Sequence, residues 1–381
     1  MNAPSAHVVF AGGGTAGHLF PGLAVAACLA GRRPEVRITL AGTGRDFEKR
    51  AVAAAGFAYL PLRSRPLPRR PGEILPFLAD NLAGYRAATR LLRAQHVAAV
   101  VGLGGYASVP LARAAIRRGI PLVLLEQNAL PGRATRWLAP GASLVCTAFE
   151  GTARYLRARC PVRATGNPIR PGFARRPDAG SARGNGEKPA GRQLVILGGS
   201  AGASALNENV PPALSRIRPR LEGWRVLHQS GTAQFEVTRQ RYRDLGLPAA
   251  VVPFVEDMAG LLSGSHVAVS RAGGTTLAEL AAAGVPAVLV PYPHAADDHQ
   301  RINAEAFASE GGCLVLDERE CPGKLDQALA EVLSGLVTNP ETAARMAASM
   351  RRIARPDAAR HAAELIEALV SQFSRTGVSP V

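Results

Sequence analysis

The chain has 381 residues, more than twice a typical domain of about 150 residues, so two domains are expected, each able to bury its own core. Hydrophobic residues make up 47% and charged residues 19%, an ordinary globular balance, and the 5% aromatic share argues against a surface that stacks nucleic-acid bases. The net charge of +16 is carried almost wholly by Arg (the lysines are Lys49, Lys188 and Lys324) and calls for an acidic partner: nucleic acid, anionic lipid or a phosphorylated substrate. Cys28, Cys146, Cys160, Cys313 and Cys321 are scattered, without metal-ligand spacing or a disulfide framework, and read as reduced thiols. No charged segment followed by a long apolar stretch opens the chain, so no signal peptide is expected. No apolar run approaches the roughly 20 residues that span a bilayer, so any membrane contact is expected to be peripheral.

Strand-like apolar runs alternate with helix-like segments, the pattern of a parallel α/β sheet. Residues 7–11 predict a first strand, 12–17 a turn and 21–30 a helix; further strands are predicted at 37–41, 97–102, 121–125 and 143–147. Residues 173–192 break the pattern: rich in Gly, Ala, Pro and Arg, they read as a flexible linker or surface loop. The alternation then restarts, with strands at 193–197, 224–228, 249–253, 266–270, 286–291 and 313–316, and helices from 324 to 374. Each half opens on strand, Gly-rich turn, helix. Two doubly wound lobes facing across a cleft are therefore expected.

The Gly-rich turns carry the chemistry. Gly12-Gly13-Gly14-Thr15-Ala16-Gly17-His18 follows a strand and precedes a helix, where backbone N–H groups can meet an anion. Gly12, Gly14 and Gly17 also satisfy the dinucleotide pattern, but the second predicted strand ends in Ala41-Gly42-Thr43-Gly44 with no acidic residue, and Asp46 lies beyond it. His18, at the turn–helix junction, is a candidate proton acceptor. Gly102-Leu103-Gly104-Gly105-Tyr106-Ala107-Ser108 is a second candidate anion nest, so this lobe would suit a pyrophosphate. In the second half, Gly198-Gly199-Ser200-Ala201-Gly202-Ala203 adds a serine hydroxyl near a helix start. Gly274-Thr275-Thr276-Leu277-Ala278-Glu279 opens another helix, with Glu279 one turn in and placed to accept ribose hydroxyls. His294, Asp297, Asp298, His299 and Gln300 lack established metal spacing and read as a loop gripping sugar hydroxyls, with no metal.

Residues 74–92 carry Ile74, Leu75, Phe77, Leu78, Leu82 and Tyr85, flanked by Arg63, Arg65, Arg69, Arg70, Arg86, Arg90 and Arg93. An apolar face with flanking Arg suits a membrane interface; a helix packed on its own lobe would show the same pattern.

In order and spacing, the segments 12–21, 102–108, Glu126-Gln127-Asn128, 165–170, 198–203, 254–258, 270–279 and 294–300 resemble the MurG family. These bacterial transferases add N-acetylglucosamine from its UDP form to lipid I, giving lipid II for peptidoglycan. The resemblance implies the GT-B fold, with an N-terminal acceptor and membrane-side lobe over 1–168 and a linker over 169–192. A UDP-sugar lobe would follow over 193–350, with a C-terminal helix and tail over 351–381 packing back on the first lobe. It implies an inverting transfer to the muramyl 4-hydroxyl of undecaprenyl-pyrophosphoryl-MurNAc-pentapeptide, without a cofactor. Thr15, Ala16 and Gly17 match contacts near the sugar and diphosphate, Asn128 a sugar contact and Arg170 a donor contact. Ser200 and Gly274, Thr275, Thr276, Leu277, Ala278 and Glu279 match phosphate and ribose contacts. Val255 matches the backbone that reads uracil, and Gln300 with His299 the sugar-hydroxyl contact. Gly104, Gly105, Tyr106 and His18 would face the acceptor, with His18 or Glu126 as base.

The partners implied are UDP-N-acetylglucosamine, lipid I, an anionic inner-leaflet surface met peripherally from the cytoplasm, and other cell-wall synthesis or division proteins, with no nucleic acid. Three departures stand out: Ala201 where the family often has Gln, His299 where some members have a second Gln, and a long segment at 173–192. Another GT-B UDP-sugar enzyme, a UDP-N-acetylglucosamine epimerase, an NAD-dependent oxidoreductase and a basic binding protein remain open on sequence grounds.

Overall fold

The structure, a computed structural model, describes residues 6–173, 191–199 and 202–375. Ser200, Ala201 and most of the segment expected as a linker lie outside the described residues. The chain divides into two compact units, Met1–Arg170 with Pro356–Val381, and Pro171–Arg355.

The first unit is built on β1 (His7–Ala11), β2 (Arg37–Gly42), β3 (Ala58–Pro61), β4 (Val97–Gly102), β5 (Leu122–Glu126), β6 (Leu144–Thr147) and β7 (Val162–Ala164). They pair in parallel in the order β3-β2-β1-β4-β5-β6-β7. The helices are α1 (Ala16–Arg32), α2 (Asp46–Ala54), α3 (Ile74–Ala94), α4 (Val109–Arg117) and α5 (Arg133–Leu138). The central strands are apolar along most of their length because both faces are covered. Along β1, Val8 and Phe10 enter one core with Leu19, Leu40 and Val101, while Val9 and Ala11 enter another with Leu111, Ala115 and Leu92. This alternation is the two-residue period of a strand. The edge strands β3 and β7 have no buried residue, and their sequences lack the apolar run that announces the others.

The second unit holds β8 (Arg192–Leu197), β9 (Trp224–Gln229), β10 (Ala250–Val252), β11 (Val267–Ser270), β12 (Ala287–Leu289) and β13 (Cys313–Val315). These are parallel in the order β10-β9-β8-β11-β12-β13. Its helices are α6 (Ser204–Arg216), α7 (Phe235–Asp244), α8 (Met258–Ser263), α9 (Gly274–Ala283), α10 (His299–Ala308), α11 (Leu325–Thr338) and α12 (Pro340–Ile353). α9 stops at Gly284, whose φ of 66° is the left-handed conformation that ends helices. A last helix, α13 (Ala358–Arg375), belongs to the first unit. Ala359, Ala362, Ala363, Ile366 and Val370 of α13 join the core containing Val8 and Phe10, and Arg32 pairs with Glu364 and Glu367 at 3.2 and 2.9 Å on the rim.

Helix α1 starts at Ala16, five residues before the Pro21 expected to open it. Pro at a first helical position is common, but Pro21 lies inside the helix, early enough to remove only one backbone bond near its start. His18 therefore lies within the first turn of α1.

In both sheets the strand order reverses direction around two neighbours, β1 and β4 in the first and β8 and β11 in the second. Ligands of open α/β sheets bind beyond the carboxyl ends of the strands at this reversal. These four strands are the ones followed by Gly-rich loops.

Candidate functional site

In the first unit, parallel pairing of β1 with β4 sets the 12–18 and 102–108 loops side by side. A Cβ on Gly12 would lie 2.5 Å from Leu103 Cβ, so only glycine lets the loops approach this closely. Gly104 and Gly105 turn at φ 87° and 68°, bringing their backbone against the ring of His18. A Cβ on Gly104 would meet His18 Cδ2 at 3.1 Å and Gln127 Oε1 at 3.4 Å; one on Gly14 would meet the Tyr106 hydroxyl at 3.5 Å. Five expected residues (Thr15, His18, Gly104, Gly105 and Tyr106) thus form one cluster. Thr15 is exposed, and its hydroxyl lies 2.9 Å from His18 Nδ1.

Sequence reasoning missed Glu48, which sits under this cluster. Its side chain is fully buried and accepts hydrogen bonds from Gly14 N at 2.5 Å, Tyr59 OH at 2.5 Å, Thr43 Oγ1 at 2.9 Å and Gly44 N at 3.1 Å. Burial alone would push the Glu48 pKa up, but these donors together hold it below the ordinary carboxylate range. Burial and the facing carboxylate push the Tyr59 phenol up. The Gly14 N–H is therefore already engaged by a carboxylate of the same chain, which changes the expectation that the whole turn is an open anion cradle. A glutamate in the first turn of a helix, where acidic residues are common, carries no sequence signal of this role.

Glu126 ends β5 and is buried. One carboxylate oxygen accepts Asn128 N at 3.0 Å and Asn128 Nδ2 at 3.1 Å; the other accepts Gly132 N at 3.0 Å. These bonds shape the 127–132 loop and aim Asn128, a geometry suited to orienting a neighbour. Gln127, beside His18 and Gly104, is also buried and donates to Leu103 O at 3.2 Å. Arg170, half-buried, lies over the ring of Phe20 at 4.9 Å.

In the second unit the paired loops follow β8 and β11. Gly202 turns at φ 77°, and a Cβ there would strike Ser230 O at 2.3 Å, so glycine is required. Beyond β11, Gly273 precedes α9; Gly274 and Leu277 are buried, while Thr275, Thr276 and Ala278 are half-buried. Glu279 is only 3% exposed, deeper than a solvated helix glutamate. Val255 lies half-buried in the loop between β10 and α8, whose start is capped by Asp257 accepting Gly260 N at 2.8 Å.

The 292–300 loop is tied to the end of β11 by its own side chains. Gln300 and His299, at the start of α10, are half-buried, and His299 Nδ1 lies 2.8 Å from Ala296 O. Asn303, missed from sequence, is fully buried and donates to Ala272 O at 3.2 Å. Arg271 donates to Val290 O at 3.0 Å and Pro291 O at 3.2 Å, and pairs with Glu318. Asp297 and Asp298 take left-handed φ values of 52° and 56°. Asp298 is bound by Arg301 at 2.7 Å and Arg319 at 3.2 Å, and both cations hold its pKa down. This ionised side chain serves the loop's shape.

On α3, Ile74, Leu75, Leu78 and Leu82 are exposed, while Phe77 and Tyr85 are half-buried. Ile74, Leu78 and Leu82 follow i, i+4, i+8 spacing along one face; Gly84, Ala88 and Leu92 continue the helix as its buried part. Trp137 on α5 is 56% exposed with the Arg113 guanidinium 4.8 Å above its ring, a feature that sequence analysis did not single out.

Residues 8–147 match the glycosyltransferase family 28 N-terminal domain, and residues 193–362 match the glycosyltransferase family 28 C-terminal domain. The UDP-N-acetylglucosamine–N-acetylmuramyl-(pentapeptide) pyrophosphoryl-undecaprenol N-acetylglucosamine transferase of Stutzerimonas stutzeri is 39% identical, covering 95% of this chain and 98% of that protein. The protein of the same description from Azotobacter vinelandii is 40% identical over 93% and 96% of the two chains. The crystal structure of Acinetobacter baumannii MurG superposes with a TM-score of 0.72 at 32% identity, covering 95% and 99% of the two chains. Each unit's parallel sheet with flanking helices is a Rossmann-like lobe of the GT-B type.

Proposed function

The chain belongs to glycosyltransferase family 28, among its MurG-like members, and on that premise we infer that it transfers N-acetylglucosamine with inversion from UDP-N-acetylglucosamine to the muramyl 4-hydroxyl of lipid I, making lipid II for peptidoglycan. The observation that carries this reading is the likeness, over nearly the whole chain and at 39% and 40% identity, to transferases of that description; the paired Gly-rich loops of each unit supply the anion-binding turns such a donor needs.

In the transfer, the 4-hydroxyl oxygen attacks the anomeric carbon. The new C–O bond forms as the bond to the β-phosphate oxygen breaks, and UDP leaves with the electron pair. His18 takes the hydroxyl proton at Nε2, in the tautomer whose Nδ1–H donates to Thr15. Gly104, Gly105 and Tyr106 face the acceptor beside it. Glu126 acts by holding Asn128 toward the sugar, since its carboxylate already accepts three N–H groups. In the second unit, backbone N–H groups at the start of α9 and the loop containing Ser200 receive phosphate. Glu279 binds ribose, the Val255 backbone reads uracil, and Gln300 with His299 grips the sugar. Arg170 and the α1 start, with Thr15, Ala16 and Gly17, add positive potential for the departing diphosphate.

Among the described residues no helix is long and apolar enough to cross a membrane. The acceptor carries a polyprenyl chain, and we place Ile74, Leu75, Leu78 and Leu82 against an anionic bilayer surface on its cytoplasmic side, with Phe77, Tyr85 and Trp137 supporting the patch. The flanking Arg side chains meet lipid phosphates.

The direct test supplies UDP-N-acetylglucosamine and a soluble lipid I analogue and follows UDP release with formation of the disaccharide. Folded protein that releases no UDP overturns the reading. Conversion of the donor to a 2-epimer without acceptor would assign the chain to epimerase chemistry instead.

A further inference from the structure

We propose that Glu48 is a positioning residue for the transfer, a role that rests on the reading of the 12–18 loop as the acceptor-side site. The carboxylate has no exposed surface, and its four hydrogen-bond donors, from Gly14, Tyr59, Thr43 and Gly44, are all neutral groups. Burying a carboxylate costs several kcal/mol unless donors replace water, roughly, so a site is built around it. Two glycines make the room: a Cβ on Gly13 would sit 2.5 Å from Glu48 Oε1, and one on Gly42 2.7 Å from Oε2.

The carboxylate grips the joint of the loop. Gly14 N donates to Glu48, and the Gly14 carbonyl accepts Arg45 Nη1 at 2.7 Å. The Gly14 residue is thus held at its C=O by Arg45, in the β2–α2 connection, and at its N–H by Glu48, in the first turn of α2. The next residue, Thr15, is extended, at φ −142° and ψ 154°, and its hydroxyl holds the His18 ring. Tyr106 packs near Gly14, its hydroxyl 3.5 Å from where a Cβ there would stand. Glu48 therefore sets the backbone from which Thr15 and His18 project, without touching a ligand. Small misplacements of a reacting group lower turnover steeply, by about 100-fold for 1 Å.

Glu48→Gln and Arg45→Ala test this. Turnover, the KM for each substrate, UDP affinity by calorimetry and melting temperature are measured on full-length protein. Glu48→Gln keeps the shape but turns an N–H₂ toward groups that donate. The expected result is a kcat lowered about 10- to 100-fold, with UDP affinity within about twofold of the parent. Arg45 is exposed, so its removal leaves the fold intact and is expected to lower kcat by about 3- to 10-fold with the same split. A folded Glu48→Gln protein with parental kcat overturns the proposal, as does UDP affinity falling in step with kcat. If Glu48→Gln does not fold, Arg45→Ala decides, and parental kcat in it overturns the proposal. Parent protein that releases no UDP would instead remove the functional reading beneath it.

Discussion

The side-chain carbonyl of Gln300 accepts the backbone N–H of Tyr292 at 3.0 Å, and the same oxygen accepts that of Ala272 at 3.2 Å. One amide thereby staples the loop after β12 to the loop after β11. With its oxygen committed, Gln300 meets a ligand through its N–H₂ group. Gln300→Glu keeps the acceptor and removes that donor. It should weaken UDP-N-acetylglucosamine binding about tenfold while leaving UDP binding unchanged, as titration with each would show. Equal loss for both ligands would remove the sugar contact.

Glu279 should matter for the nucleotide itself. Charge-assisted hydrogen bonds to ribose are worth about 1.5–3 kcal/mol, so Glu279→Gln should weaken UDP about 10- to 100-fold. Calorimetry with UDP alone checks this, and unchanged affinity removes the ribose assignment.

His18→Ala should lower kcat about 100- to 10,000-fold with donor affinity intact, the range of a lost general base. Thr15→Val removes the partner of Nδ1 and should cost less, about tenfold, because the imidazole remains. Steady-state UDP release measures both.

Leu75 and Leu78 are 78% and 55% exposed, so their replacement costs the folded protein little. Leu75→Ser with Leu78→Ser should leave the melting temperature in place and weaken binding to anionic vesicles roughly 10- to 100-fold. Co-sedimentation with phosphatidylglycerol vesicles checks this. Phe77 is half-buried, which makes it the poorer choice for separating membrane binding from folding.

Acid stability should depend on His228. The ring is fully buried, lying 3.0 Å from Tyr242 OH and 2.9 Å from Asn207 Oδ1, and burial lowers its pKa to about 3. The folded ring stays neutral while the unfolded chain takes up a proton below about pH 6.5. Stability is therefore complete above that pH and lost as pH falls toward 3, at up to about 1.4 kcal/mol per pH unit. His228→Gln should flatten this acid limb, read from denaturant unfolding between pH 7 and 4, even if it lowers stability at pH 7. An unchanged slope would show that His228 does not govern it.

Much of the site was legible because its glycines are unavoidable. Gly12, Gly104 and Gly202 stand where loops must turn or approach closely, and such positions leave a local mark in the sequence. The central strands were legible because burial on both faces demands continuous apolar runs. β3 and β7 were not, since edge strands bury little. The start of α1 was misplaced because Pro21 looks locally like a helix opener, whereas Ala16 and His18 join the helix through packing and backbone bonds that extend past it.

By itself the sequence determined two α/β halves, four Gly-rich turns and the residues offered at them, since backbone freedom and apolar periodicity are local properties. Only the tertiary structure decided that the turns come in pairs at each strand-order reversal, that Glu126 is spent on Asn128, and that Glu48 reaches Gly14 from 34 residues away. The reason is physical. A buried carboxylate is defined by the donors that replace its water, and folding draws those donors from Gly14, Thr43, Gly44 and Tyr59, far apart or near in the chain, into one place.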